Sequence, residues 1–130
     1  MANNSVQNFL DSRTDTLRAT LQELVSAIRT SAPPPDILDG IASMTSTTQQ
    51  IIHQTSPLVP DLSKPSDTIS ALGRLVEKLE DKGREGEQIN TEAAWREYVN
   101  AIPPIGFEIA RGVKELGAWV EEEVRNGDFS

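Results

Sequence analysis

The stretch Tyr98–Val124, YVNAIPPIGFEIARGVKELGAWVEEEV, decides the fold, because it carries an amphipathic helix pattern across two adjacent prolines and three glycines. Proline lacks a backbone N–H and clashes with the preceding turn, so an interior Pro-Pro pair ordinarily ends a helix. If Pro103 and Pro104 separated two helices of independent direction, the apolar phase would have no reason to survive them. Trp95, Tyr98, Ile102, Ile105, Ile109, Val113, Leu116, Val120 and Val124 are spaced 3, 4, 3, 4, 4, 3, 4 and 4 residues apart. That alternation puts all nine on one stripe. The spacing favours one long element, Thr91 to Arg125, kinked near the prolines. The competing reading is a short helix over 91–101 followed by another starting near Pro103. A kink leaves backbone groups unpaired near Asn100 and Ala101, for water or a local 3₁₀ turn to satisfy. Gly106, Gly112 and Gly117 each cost about 1 kcal/mol against alanine in an exposed helix interior, which close approach of another helix can offset. The plainer reading of these glycines is tolerated weak points with no binding role.

Working back along the chain, three more helical patterns precede this one. The first runs from Ser5 to Arg29, with Val6, Phe9, Leu10, Leu17, Leu21, Leu24, Val25 and Ile28 on its stripe. Asp11, Arg18, Gln22 and Arg29 fall off it. SAPPPD then stops the helix, since a residue before proline disfavours α geometry. The second runs from Pro35 to Gln54, with Asp36 and Asp39 suited to its positive dipole end. Its stripe is Ile37, Leu38, Ile41, Met44, Thr48, Ile51 and Ile52. The centre, SMTSTTQQ, is poor in strong helix formers, so tertiary packing must carry it. The third runs from Ser66, its expected N-cap, to Lys82, with Ile69, Leu72, Leu75, Val76 and Leu79 inward. KGREGEQIN reads as a charged, glycine-containing loop, and Asn90 or Thr91 opens the fourth region. No strand pattern competes. Four helices with short or medium connections predict an all-α antiparallel four-helix bundle, a single domain over residues 1–130.

Composition excludes several function classes. The chain has 130 residues, no cysteine and a net charge of −8. Disulfides, thiolate zinc sites and cysteine nucleophiles are therefore out. An acidic chain lacks the clustered Lys and Arg that phosphate backbones require, so nucleic acid is not an expected partner. Nor is an anionic membrane surface, and no apolar run approaches the roughly 18–20 residues of a transmembrane helix. The N-terminal MANNSVQNF has no positive region followed by an apolar block, so no signal peptide is expected. A cytoplasmic setting follows from these readings.

No catalytic signature is present. His53 is the only histidine, which removes multi-His metal sites, and no nucleophile elbow, phosphate loop or calcium loop accompanies it. At the end of a helix it reads as a capping or surface residue. Glu121, Glu122 and Glu123 are consecutive on a helix, point in different directions, and read as a solvated face rather than a metal site. The hydroxyls from Ser43 to Thr48 sit inside a packed helix, poorly placed for phosphorylation. Trp95 lies on the core stripe. Trp119 sits at the stripe edge, open to two readings: core-edge packing or a partner hot spot. Neither a cofactor nor an enzymatic activity is expected.

The segment FEIARGVKEL, Phe107 to Leu116, resembles the last helix of the C-terminal domain of the GIT family of Arf GTPase-activating scaffold proteins. Phe107, Glu108, Ile109, Ala110 and Arg111 match its aromatic-acidic-Ile-Ala-basic pattern, and Lys114 and Leu116 its Lys-x-Leu. LQELVSAIR, Leu21 to Arg29, is similar to that domain's first helix. The proline insertions and low aromatic content look more like the related fungal polarisome scaffold than the animal branch. The resemblance implies a focal-adhesion-targeting-like four-helix bundle without the zinc-bearing catalytic domain. It also implies a docking module within a larger scaffold protein, linked to cell polarity and the actin cytoskeleton, at sites of polarised growth or the cell cortex. In the animal proteins that domain binds short amphipathic leucine-rich helices of paxillin in grooves between bundle helices.

Carried over, this places a groove between helices one and four, rimmed by Arg111 and Lys114, with Trp119 as a further partner-binding candidate. Arg111 and Lys114 read equally well as a solvated face paired with Glu108 and Glu115. The animal helix ends in a basic tail where this one has Glu121 to Glu123, which points to a less acidic partner or another groove. The expected state is a monomeric domain within a larger assembly, binding short amphipathic helices of protein partners. A structural or self-associating bundle without a peptide groove is the alternative.

Overall fold

The computed structural model describes residues 2–126, with side chains from residue 7 onward. The side chain of Val6, expected on the first stripe, lies outside the described residues. Five α-helices follow one another: α1 Ala2–Arg29, α2 Pro34–Thr55, α3 Lys64–Gln88, α4 Glu92–Asn100 and α5 Ile102–Arg125, with a 3₁₀ turn at Ser56–Leu58 after α2. The long helices form a ring in which α1 packs on α2, α2 on α3, α3 on α5, and α5 back on α1. This is an antiparallel four-helix bundle whose fourth member is the α4–α5 pair. Among the described residues there is no strand.

The apolar stripes meet in one core. Leu10, Leu17, Leu21 and Leu24 of α1 face Ile37, Ile41, Met44 and Ile51 of α2 and Leu72, Val76 and Leu79 of α3. Ile102, Ile105, Ile109, Val113, Leu116 and Val120 of α5 close it. Each such side chain contributes about 1.5–3 kcal/mol on burial, which outweighs weak local propensity. The centre of α2 is the clearest case. Thr48 is fully buried, and its hydroxyl donates to the Met44 carbonyl at 2.7 Å; Thr55 does the same to Ile51 at 2.7 Å. The helix supplies its own acceptors for these hydroxyls, so they enter the core satisfied.

The fourth element keeps its apolar phase across a one-residue break at Ala101, two residues before Pro103. Ala101 stays in the right-handed region (φ −84°, ψ −12°), and its N–H donates to the Tyr98 carbonyl at 3.1 Å, a local 3₁₀ closure. Pro103 and Pro104 then sit in the first turn of α5, where missing N–H groups cost nothing because no intrahelical acceptor precedes them. The kink is therefore a helix restart on the same stripe.

Two expectations about α3 are corrected. Its N-cap is Ser63, three residues before the expected Ser66; the Ser63 hydroxyl accepts from the Ser66 N–H at 3.3 Å, and α3 begins at Lys64 with Pro65 in its first turn. KGREGEQ is helix to Gln88, not loop. The glycine there has a packing role: a Cβ on Gly86 would lie 2.5 Å from the Tyr98 hydroxyl oxygen and 2.8 Å from Leu38 Cδ2. Gly86 is a seat for Tyr98, whose hydroxyl donates to the Lys82 carbonyl. Burial, and secondarily the Glu85 carboxylate, pushes this hydroxyl up to about 12.

Two connections use left-handed backbone without glycine. Ser31 (φ 58°) follows α1; its N–H donates to the Ile28 carbonyl at 3.2 Å and the Ala32 N–H to the Ala27 carbonyl at 2.8 Å. This Schellman pair ends α1 ahead of the prolines. Leu62 (φ 60°) lies between α2 and α3 and is 99% exposed. For an L-residue that conformation costs roughly 1–2 kcal/mol.

Candidate partner-docking site

Two flanks of α5 meet neighbours through glycine. On the α1 flank, a Cβ on Gly106 would lie 2.6 Å from Leu21 Cδ1. On the α3 flank, a Cβ on Gly112 would lie 2.8 Å from Leu72 Cδ2. These glycines let each neighbour's leucine touch the α5 backbone, the close approach that offsets their propensity cost. Among the described residues nothing lies within 4 Å of the Gly117 Cβ position, so it fits the plain reading of a tolerated weak point.

Outside these seams lie two clefts of different chemistry. Between α1 and α5, a cleft of about 290 Å³ is lined by Thr14, Leu17, Arg18, Ala110, Arg111 and Lys114. Its floor is Leu17 and the small Ala110, and its charges are three cations with no acid. Between α3 and α5, a crevice of about 820 Å³ has Ala71, Leu72, Leu75 and Gly112 among its lining. Its cations Lys64, Arg74, Lys78 and Arg111 are matched by Asp67, Glu77, Asp81, Glu108 and Glu115. Arg111, on the crest of α5, lines both.

The cations of the smaller cleft form no ion pair within 4 Å among the described residues. The ion pairs within 4 Å among the described residues are Lys82–Glu85, Arg84–Asp81, Arg96–Glu92 and Arg125–Glu121. Arg111 and Lys114 therefore do not form the pairs with Glu108 and Glu115 that a self-compensated face requires. Three like charges around one cleft raise its local positive potential, in a chain whose net charge is −8.

Of the residues singled out in sequence, Arg111 and Lys114 come together on this cleft and Trp119 does not. Trp119 shares the α3-flank stripe of Glu108, Gly112 and Glu115, at steps of four, three and four. It is half-buried and packs against the core. Two further residues emerge from the structure. Arg18 reaches the cleft from α1, which an off-stripe position could not signal before the helix neighbours were known. Phe107 is 57% exposed. Its spacing to Arg111 and Lys114, i+4 and i+7, puts it on the same outer face of α5. An exposed aromatic inside FEIARGVKEL was the available signal. His53 is exposed at the end of α2, and among the described residues no group of His, Asp and Glu could hold a metal ion.

The sequence matches the family model for the C-terminal region of G protein-coupled receptor kinase-interacting protein 1 over residues 7–121. The chain belongs to that family. The match runs from α1 to Glu121 in the last turns of α5, so it covers all four members of the bundle. No curated protein and no solved structure gives a match. This C-terminal family is a focal-adhesion-targeting-like, scaffold-type protein-interaction domain, not a known enzyme family. No helix of the described residues is long and apolar enough to cross a membrane.

Proposed function

We propose that this chain is a non-catalytic docking module that seats an amphipathic partner helix along the α1/α5 cleft. The observation that carries the reading is the cluster of Arg18, Arg111 and Lys114 around an apolar floor with no acid among its lining. A helix laid in a groove gains affinity from apolar anchors at i, i+3 or i+4 and i+7. The half-buried Ala110, backed by Leu17, receives such an anchor, Phe107 supplies an aromatic lip, and the three cations meet carboxylates flanking the anchor. Exposed ion pairs add little affinity singly, but they fix register and steer encounter. Glu121 to Glu123, further along α5, repel an acidic helix there and confine the favourable charge to the middle of the groove. In the setting this implies, the domain is one part of a larger cytoplasmic scaffold. That scaffold is of the polarisome kind and organises polarity and actin by holding partner proteins together.

The test is titration of the chain with two fluorescent amphipathic helical peptides of equal apolar face, one acidic and one neutral on its flanks. The acidic peptide binds more tightly, and more weakly as salt rises. Arg18→Glu combined with Lys114→Glu lowers its affinity at least about tenfold, equivalent to about 1.4 kcal/mol, with the melting curve unchanged. Equal affinity for both peptides, or no effect of the double variant, removes this cleft as the site. A purely structural bundle binds neither peptide.

A further inference from the structure

A separate observation, away from the cleft, concerns the two ends of the bundle. Leu62 is 99% exposed and held at φ 60° in the α2–α3 connection. A single exposed leucine is ordinary; one held out on a left-handed backbone is not, because the chain bears two unfavourable features at one residue. The loop is fixed around it. Pro60 and Pro65 restrict the backbone, and the Ser63 hydroxyl donates to the Pro60 carbonyl at 2.6 Å while accepting from the Ser66 N–H at 3.3 Å. Leu62 is thus a preorganised knob.

The other end carries a socket. Antiparallel order puts the α1–α2 connection and the start of α4 together, a helix length of roughly 33 Å from Leu62. A crevice of about 700 Å³ opens there, lined by Ile28, Pro33, Pro34, Ile37, Trp95 and Val99 among others. Glu92 and Arg96 also line it. Their mutual pair is 80% and 77% exposed, so it is readily exchanged for other partners. The knob is flanked by exposed Asp61 and Lys64. The signs match in crossed fashion, Asp61 to Arg96 and Lys64 to Glu92.

We propose that the chain associates head to tail with a second copy of itself, Leu62 of one copy entering the crevice beside Trp95 of the next. The two surfaces differ, so the contact is heterologous and propagates into an open string rather than closing as a twofold dimer. The contact is small, and the association is correspondingly weak and concentration-dependent. It goes beyond the docking function and uses neither Arg111 nor Lys114.

Sedimentation velocity over a concentration series tests it with three samples. The wild-type chain sediments progressively faster as concentration rises. Leu62→Gly removes the knob while relieving its backbone, and Arg96→Glu sets like charge against Asp61; each variant alone loses at least fivefold in apparent association. Mixed one to one, they form a complex that stops at two copies, because the first supplies an intact socket and the second an intact knob. Circular dichroism melts establish that both variants fold. A wild-type chain monomeric throughout, a Leu62→Gly chain that associates like wild type, or a mixture that stays monomeric each overturns the proposal.

Discussion

The fourth element of the bundle has two flanks built from the same parts and put to different uses. Toward α3, tight contacts border a crevice of about 820 Å³: Tyr98 reaches the Lys82 carbonyl over Gly86, Leu72 lies over Gly112, and Trp119 packs at the core edge. The charges along that flank occur in both signs. Toward α1, one tight contact at Gly106 is followed by a cleft with three cations and then by Gly117, whose Cβ position no described residue approaches within 4 Å. Each flank holds the element through a leucine laid over a glycine and leaves surface beside that contact; the two surfaces differ in their charge. Electrostatic self-compensation is the difference that matters: a wall carrying both signs has little net field to offer, whereas a wall of one sign does.

The largest test of that contrast is a valine at each glycine seam. Gly106→Val drives its side chain into Leu21, which has Met44 alongside and lines none of the clefts described above. Its expected cost is about 3 kcal/mol, at the upper end of overpacking, read as a lowered denaturant midpoint with loss of peptide binding. Gly112→Val meets Leu72, which is fully buried but borders the α3/α5 crevice and can shift into it. The expected cost there is about 1 kcal/mol, with peptide binding retained. Equal losses at both seams would erase the asymmetry between the flanks.

A smaller effect probes the α3 flank through pH. The Tyr98 hydroxyl is raised from an ordinary 10 to about 12, so the folded state holds its proton more tightly than the unfolded one. The stability this represents is whole below pH 10 and is lost as pH rises through 12. Wild type should therefore lose melting temperature over that window, and Tyr98→Phe should lose less of it. The phenylalanine variant also gives up the hydrogen bond to Lys82, about 1 kcal/mol at neutral pH. Because Tyr98 is the only tyrosine, its tyrosinate absorbance reports the titration directly. Equal slopes for the two chains would mean that the hydroxyl is not held by this contact.

The smallest effect lies on the α1 flank. Gly117→Ala meets open space, so it should stabilise the chain by roughly 0.5–1 kcal/mol through helix propensity alone, without changing peptide affinity. A destabilised variant would reveal a close neighbour at that position.

Much of this arrangement was legible in the residues. Four apolar stripes predicted the bundle, and the phase carried from Trp95 to Val124 predicted a fourth element continuous in register. What escaped was information held between helices. Gly83 and Gly86 read locally as loop formers, and only Tyr98 and Leu38, distant in sequence, explain a glycine inside α3. Ser66 reads as the cap locally, because a proline such as Pro65 looks like a breaker until it is seen in the first turn of α3. Arg18 had no reason to be grouped with Lys114 until α1 and α5 were known to be neighbours. Ser31 and Leu62 belong to residue types that seldom adopt left-handed backbone, so composition gave no hint of either turn.

The break at Ala101 has a consequence for how the molecule opens. Every regular hydrogen-bond ladder transmits fraying along itself, and here the ladder is interrupted between α4 and α5. The nine residues of α4 depend on Tyr98, Val99 and Trp95 rather than on continuity with the helix that follows. Local opening of α4 is thereby less coupled to α5, whose buried central residues Ile109, Val113 and Leu116 should keep their amide protons until the core itself unfolds. The prolines that seemed to threaten the helix act as a firebreak, confining fluctuation to one end of the bundle.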